Sequence, residues 1–354
     1  MARALRLAER GVYSTSPNPR VGCVVVKNGE IVGEGWHERA GKSHAEVIAL
    51  NAAGSAARGA TAYVTLEPCS HHGRTPPCTD ALIAGGVARV VLAVQDPNPK
   101  IAGEGIAKLR AAGIAVEYGL MEAAARELNI GFFARMMRGS AWVRSKIAMS
   151  LDGRTALGNG KSKWITGGDA RLDVQHWRAR SCAVLTGIAT VLADDARLDV
   201  RDIMTERQPL RVVLDSRLRM PLTARVMSGG DILIYTAVQD AEKCAALQMA
   251  GATVCVLPDG NGQVDLVAML RDLAQRGCNE VLLEAGGTLN GAMLRAGLVD
   301  ELLLYIAPQL LGDMARSMVQ LGELTSLDQR VNLQWQDMRQ VGKDLRIMAK
   351  VGNV

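Results

Sequence analysis

Short runs of aliphatic and β-branched residues alternate along the chain with segments of helical period, and glycine or proline clusters separate them. In the first part, "VGCVVV" predicts a buried strand, "HAEVIALNAAG" a helix, "ATAYVTL" a strand, "CTDALIAGG" a helix closed by glycines and "ARVVLAV" another strand. "DPNP" marks a turn, after which "GEGIAKLRAAG" predicts a helix and "IAVEYGL" a strand. This alternation defines a layered α/β domain.

A helical segment ends at Arg138 and Gly139 within "RMMRGSAW", and a strand pattern restarts in "WVRSKIAMS". The boundary is therefore expected near residue 140, with one domain over 1–139 and a second over 140–354. The second part alternates again: "CAVLTG", "LRVVLD", "DILIYT", "ATVCVL" and "EVLLEAGG" predict buried strands, with helices between several of them. It is a second α/β domain. No repeat of fixed period and no low-complexity tract is present.

The length of 354 residues suits two domains, and the 48% hydrophobic composition is globular. No stretch approaches the roughly 18 uninterrupted apolar residues of a membrane span, so no membrane partner is expected. "MARALRLAER" reads as a short helix without a following export signal. Seven cysteines, an odd number spread thinly, point to reduced thiols in a cytoplasmic protein and not to a disulfide framework. A net charge of +5 favours an anionic ligand but is far from the basic stripe of a nucleic-acid binder. With aromatics at 3%, platforms for stacking bases are scarce.

The candidate chemistry of the first domain lies in "KSHAEV" and "TLEPCSHHGRTPPC". Residues two apart on a regular helix point roughly 200° away from one another, so His44 and Glu46 share a site only if His44 stands at the very first turn. Ser43 is the cap expected to put it there. Ser43 and Glu46 also fit a capping box, in which the glutamate merely bonds the helix start. Pro-Cys at the end of a strand places a thiolate at a turn into a helix, where backbone amides stabilise it. His-x-Glu, Pro-Cys and a second Cys form the signature of zinc-dependent base deaminases. Three protein ligands, His44, Cys69 and Cys78, then hold zinc and leave its fourth position for water, which becomes a nucleophile near neutral pH. Glu46 carries the proton from that water to the departing ammonia. Cys23, inside "VGCVVV", reads as a core thiol.

Eight residues separate Cys69 from Cys78, where deaminases commonly have two; a loop with Gly73, Pro76 and Pro77 that bulges outward would return Cys78 to the metal. "HAEV", this long inter-cysteine stretch and "QDPNP" together resemble the pyrimidine deaminase domain of the bifunctional riboflavin-biosynthesis deaminase/reductase family. The resemblance implies a cytidine-deaminase-like three-layer fold and makes His71 and His72 loop residues near substrate, not ligands. For His72 an exposed turn position fits equally. "SPNPRVG" resembles the family's substrate segment, which would turn Asn18 toward the pyrimidine; the alternative is a turn asparagine between prolines.

In the second domain "EVLLEAGGTLNGAML" runs strand, glycine turn, helix, and lacks the Gly-x-Gly-x-x-Gly form. Amides near Gly286, Gly287 and Thr288 would cradle a phosphate; the bland alternative is a tight connection that needs glycine. "KIAMSLDGRTA", "SKWITG", "TGIATVLADD" and "LDSR" resemble the reductase half of the same family, which implies a dihydrofolate-reductase-like fold that uses NADPH. By that resemblance Ala148, Trp164, Thr190, Asp194, Ser216 and the run Gly286, Gly287, Thr288, Leu289, Asn290, Gly291 and Ala292 line the cofactor. Ser162, Arg178, Leu198, Arg201 and Glu284 contact substrate. Arg178 and Arg201 suit a sugar phosphate because a guanidinium binds its oxygens bidentately. Each also reads as a solvated charge, Trp164 as core packing, and Asp194 with Asp195 as a turn cap. Lys146 and Asp152 would polarise the sugar or order the site.

The resemblance implies a pyrimidine ribosyl phosphate as substrate, deaminated in the first domain and reduced from ribosyl to ribityl in the second. It also implies a homo-oligomer joined through the reductase domains. Two rival readings are a nucleic-acid deaminase with a C-terminal binding module and an interaction scaffold with structural zinc.

Overall fold

A computed structural model describes residues 1–72, 76–99 and 101–352. The chain divides into two compact units, Met1–Ser140 and Ala141–Val354. The first contains α1 (Ala2–Glu9), the hairpin β1 (Gly22–Lys27) and β2 (Glu30–Trp36), α2 (Ala45–Ala53), β3 (Thr61–Val64), α3 (Cys78–Ala84), β4 (Arg89–Leu92), α4 (Glu104–Ala111), β5 (Ala115–Tyr118), α5 (Glu122–Leu128) and α6 (Ile130–Arg138).

Its five-stranded sheet has the order β2-β1-β3-β4-β5; β1 is antiparallel to both neighbours, while β3, β4 and β5 run parallel. Side chains alternate across a strand, and here the alternation separates two helical layers. Val24 packs with Ala4 and Leu7 of α1, whereas Cys23 and Val25 join Ala45 and Ala49 of α2. The result is the three-layer fold of the cytidine deaminases. Cys23 is fully buried in that core. The hairpin strand β2 escaped the sequence reading.

The second unit contains β6 (Trp142–Ser150), β7 (Arg154–Ala156), α7 (Gly168–Arg180), β8 (Ala183–Gly187), α8 (Ile188–Asp194), β9 (Leu210–Leu214), β10 (Ile232–Thr236), α9 (Ala241–Met249), β11 (Ala252–Val256), α10 (Leu266–Gln275), β12 (Glu280–Leu283), α11 (Gly287–Arg295), β13 (Glu301–Ala307), β14 (Arg316–Ser317), β15 (Leu333–Val341) and β16 (Asp344–Val351). Nine strands form one sheet of order β11-β10-β9-β8-β12-β6-β13-β16-β15. From β11 to β13 all neighbours are parallel, and β16 and β15 complete the sheet as an antiparallel hairpin. This is the dihydrofolate-reductase-like arrangement.

Strand β6 is pinned in register by a buried charge cluster. Arg144, 1% exposed, donates to Glu301 at 2.7 Å and to Glu280 at 3.2 Å, and Arg180 donates to Glu280 at 2.7 Å. The Arg144 guanidinium also lies 4.6 Å from the centre of the Trp177 ring. Paired in this way the charges are tolerated inside, and β6 is held between β12 and β13 with Lys146 two residues further on.

Candidate active sites

In the first unit the chain brings three soft donors to one point. His44 caps the N-terminus of α2 in an extended conformation (φ −76, ψ 162), with no side-chain capping bond. This corrects the expectation that Ser43 is the cap. No capping box between Ser43 and Glu46 forms among the described residues, and the His44 imidazole turns to sulfur: Nδ1 lies 3.2 Å from Cys78 Sγ and 3.6 Å from Cys69 Sγ. Cys69 follows β3, and its sulfur accepts the backbone N–H of Cys78 at 3.3 Å where α3 begins. The Thr79 N–H and hydroxyl both donate to the Cys69 carbonyl, closing the long loop onto the helix. Gly73 in that loop lies outside the described residues.

The three ligand atoms lie within 4.8 Å of one another. Tetrahedral zinc with bonds of 2.0 to 2.3 Å separates its ligands by roughly 3.5 Å, which matches the two N···S distances. The charge state suits a dication as well. The Cys78 thiol, then the His44 ring, draw the Cys69 thiol down to about 4, against the burial that raises it. That hydrogen bond and burial push Cys78 up, so the two sulfurs share one proton that a bound dication would displace. The residues fit zinc. His71 and His72 are exposed and stand apart from this donor set.

Glu46 is 3% exposed, and its Oε2 has no hydrogen-bond partner among the described residues. Burial pushes its carboxyl up to about 7, where it can both take and give a proton near neutral pH. Asn18 closes a turn by donating its N–H to Thr15 and is half-buried. The sequence reading passed over His37. Its Nδ1 lies 3.1 Å from the Ser43 carbonyl and so donates to it, leaving Nε2 to accept from Asn18 Nδ2 at 3.0 Å. One ring thus ties Asn18 to the residue preceding His44; the only signal in the sequence was a histidine closing a strand. Glu67 was also missed. Its carboxylate accepts the N–H groups of Asp96, Gly103 and Ile106 at 3.0 to 3.1 Å, bracing the segment that begins in "QDPNP" against the turn bearing Cys69.

The second unit holds a cavity of about 1750 Å³. Ala148, Trp164, Thr190, Asp194, Ser216, Gly286, Gly287, Thr288, Leu289 and Ala292 line it, as do Ser162, Arg178, Leu198, Arg201 and Glu284. Asn290 and Gly291 do not. Asn290 is wholly buried and bonds Ser145, Ala285 and Met318, while a methyl group on Gly291 would collide with the Gln320 carbonyl. Helical period turns these two away as their neighbours face the cavity. Trp164 is no core residue: it is 68% exposed, with the Arg171 guanidinium 4.6 Å from its ring centre. Asp195 accepts the Arg225 N–H as a turn cap, and Asp194 borders the cavity.

Arg178 donates to Glu284 through two parallel bonds of 2.6 and 2.9 Å, and through its third nitrogen to the Asp199 carbonyl. Its fork is therefore occupied. Among the described residues the Arg201 guanidinium is held only by Asp199 and, at 3.9 Å, by Asp202, which leaves it the freer of the two for a phosphate. Burial works to raise the Glu284 carboxyl, but the charge of Arg178, with Lys146 beyond, overturns this and holds it at about 2. Lys146 reaches the cavity with no hydrogen bond among the described residues, and burial lowers its pKa, opposed by Glu284. Asp152 does not line the cavity. It bonds the Ser150 hydroxyl and accepts the N–H groups of Leu311 and Gly312, stapling two loops.

The glycine turn leaves room for a dinucleotide. Gly286 lines the cavity at the N-cap of α11, and a Cβ on it would meet no protein atom within 4 Å. Glycine there leaves room for a phosphate to reach the first amides of that helix. The cavity exceeds the roughly 300 to 1,000 Å³ of ordinary small-ligand pockets and has space for a dinucleotide beside a second ligand.

A His-Cys-Cys centre with an adjoining buried carboxyl, joined in one chain to a dihydrofolate-reductase-like unit with a large cavity, defines a bifunctional zinc deaminase and reductase. Residues 1–94 match the cytidine and deoxycytidylate deaminase zinc-binding region, and residues 141–347 match the RibD C-terminal domain. The chain is 50% identical over 358 residues to riboflavin biosynthesis protein RibD of Escherichia coli, covering 98% of this chain and 96% of that protein. Against the protein of the same name from Haemophilus influenzae it is 46% identical, covering 98% and 95%. Among solved structures, Acinetobacter baumannii RibD superposes with a TM-score of 0.93 at 46% identity, covering 99% and 98% of the two chains. A deaminase/reductase from Thermotoga maritima does so with 0.88 at 32%, covering 99% and 97%.

The chain belongs to the RibD family of riboflavin biosynthesis, enzymes with both a deaminase and a reductase activity that use zinc and NADPH. A reductase match over the second unit leaves the reading as a nucleic-acid deaminase with a binding module unfavoured. No helix among the described residues is long and apolar enough to cross a membrane.

Proposed function

We propose that Met1–Ser140 hydrolyses the amino group from a phosphoribosyl diaminopyrimidinone, and that Ala141–Val354 reduces the ribosyl group of the resulting aminouracil to ribityl. The observation that carries this reading is the convergence of His44, Cys69 and Cys78 beside the buried carboxyl of Glu46, in one chain with the NADPH-sized cavity. The T. maritima relative is named for the corresponding two activities.

In the first unit His44, Cys69 and Cys78 hold the zinc, which when bound supplies the Lewis acidity that makes water nucleophilic near neutral pH. Glu46, whose carboxyl burial brings near neutral pH, carries the two protons of the attacking water in turn, the first to the ring nitrogen and the second to the departing amino group. The C–N bond breaks as the C–O bond forms, releasing ammonia. Asn18, fixed by His37, orients the pyrimidine edge.

In the second unit NADPH, when bound, supplies the hydride for the sugar carbon that bears the nitrogen. Arg201 holds the sugar phosphate, Ser162 and Leu198 shape the site, and the Arg178–Glu284 pair sets the wall against which the sugar lies. As the ribose opens, the bond from that carbon to the ring oxygen breaks, the hydride takes its place on carbon, and Lys146 supplies the proton to the ring oxygen: its lowered pKa makes the ammonium a better acid, and no acceptor among the described residues holds it back.

The enzyme acts on small molecules in the cytoplasm and takes no nucleic acid, consistent with the modest +5 charge. We assign it a homo-oligomeric state joined through the reductase units, where the edge strand β15 exposes Trp335 and Met338. Separate assays of the zinc-loaded protein test the whole: ammonia release from the diaminopyrimidinone, and NADPH oxidation with the aminouracil. The reading fails if neither proceeds.

A further inference from the structure

The segment that carries Asn18 is held from a part of the first unit remote in sequence. Arg20 stands two residues after Asn18, with Pro19 between them restricting the backbone. The Arg20 N–H donates to Asn129 Oδ1 at 2.8 Å, and the Arg20 carbonyl accepts from Asn129 Nδ2 at 2.9 Å. A backbone N–H only donates and a carbonyl only accepts, so these partners fix which way round the Asn129 amide stands. One side chain thus exchanges both bonds with the Arg20 backbone, as the residue of a neighbouring strand would.

Asn129 is 2% exposed and forms the elbow between α5 and α6. Its own N–H donates to the Ala125 and Arg126 carbonyls, its carbonyl accepts from the Phe133 N–H, and Phe132 and Phe133 anchor α6 in the core. Its side chain gives both of its bonds to the Asn18 segment and none to the helices it joins. Two further ties run the same way. The guanidinium of Arg20, a residue 4% exposed, donates to the Leu128 carbonyl at 2.7 Å, and Arg135 of α6 donates to the Pro17 carbonyl at 3.1 Å. Pro17 and Arg20 flank Asn18, so both flanks rest on this pair of helices.

Between those flanks Asn18 Nδ2 donates to His37 Nε2, while Asn18 Oδ1 has no hydrogen-bond partner among the described residues. An open amide oxygen accepts an N–H from the edge of a pyrimidine. The match to the zinc-binding region of the deaminases ends at residue 94, and Asn129 lies beyond it. We propose that Asn129 is a positioning residue of the deaminase, which through Arg20 sets the place from which Asn18 meets the pyrimidine. This rests on the reading of Asn18 as a pyrimidine contact.

A double-mutant cycle on kcat/KM for ammonia release tests it, with the zinc-loaded full-length protein and the phosphoribosyl diaminopyrimidinone as substrate. Asn18→Ala and Asn129→Ala are each expected to lower kcat/KM about ten- to a hundredfold, with one equivalent of zinc retained by elemental analysis. The double variant should be little worse than Asn18→Ala alone, because Asn129 acts through Asn18. Asn129→Asp keeps the acceptor for the Arg20 N–H and should keep part of the activity; it carries the same cycle if Asn129→Ala fails to hold zinc. Losses that multiply in the double variant overturn the positioning role, as does a zinc-loaded Asn129→Ala with the wild-type kcat/KM. An Asn18→Ala variant with the wild-type kcat/KM overturns the pyrimidine contact and the proposal together. A wild type that releases no ammonia overturns the substrate assignment and, with it, this role.

Discussion

Glu284 and Arg178 face each other across two parallel hydrogen bonds of 2.6 and 2.9 Å, with 12% and 11% of their side chains exposed. Holding the Glu284 carboxyl at about 2 against an ordinary 4.5 links this pair to stability. A depressed folded-state pKa contributes stability that is fully present above about 4.5 and is lost as pH falls toward 2, on the order of 3 kcal/mol in total. Glu284→Gln should remove this acid-dependent portion, so that urea unfolding curves of the variant change less than those of the wild type between pH 4.5 and 2. Tryptophan fluorescence is a suitable probe, because Trp142, Trp164, Trp177 and Trp335 lie in the second unit and only Trp36 in the first. Equal acid slopes for the two proteins would contradict the linkage.

Glu46 and Cys78 separate proton transfer from metal binding. Glu46→Gln keeps all three donors and should retain one equivalent of zinc by elemental analysis, while ammonia release falls about a hundred- to ten-thousand-fold. Cys78→Ser removes a thiolate and should lose the zinc along with that activity. In both variants NADPH oxidation with supplied aminouracil should persist. Retained deamination in Glu46→Gln would strip the carboxyl of its role.

The Lys146 ammonium, without a hydrogen bond among the described residues, leads to a third expectation. Lys146→Met fills similar space without the proton and should slow single-turnover reduction about a hundredfold or more, with zinc content and ammonia release unchanged. The two explanations of such a loss are distinguished by NADPH affinity: a proton donor leaves it intact, whereas a packing residue of the cofactor site does not.

These sites differ in how far the sequence exposed them. Soft-metal chemistry admits few residue types, so His44, Cys69 and Cys78 stood out in the sequence even across an eight-residue loop. Strand β1 was equally plain as an apolar run. Its partner β2 was hidden because Gly33 and Gly35 interrupt it; side chains there would collide with backbone carbonyls of α2, so the glycines that read as loop are what let the helix approach. The exposed strand β15 had no buried face to reveal it. His37 and Glu67 act on turns far away in sequence, and no local pattern carries that information.

Asn290 tests the distinction between lining a cofactor and holding what lines it. The resemblance of a continuous run assigned Asn290 to the cavity wall, yet its amide lies inside, donating to the Ala285 and Met318 carbonyls at 3.1 and 3.3 Å and accepting from the Ser145 hydroxyl at 3.2 Å. These bonds join the glycine turn, α11 and β6. Asn290→Ala leaves two carbonyls and a hydroxyl without that partner in a buried setting, which should cost about 1 to 3 kcal/mol. Chemical denaturation should show this loss in full, while NADPH affinity measured well below the unfolding transition changes by less than the same energy. An affinity loss as large as the stability loss, with the folded state intact, would return Asn290 to the cofactor wall.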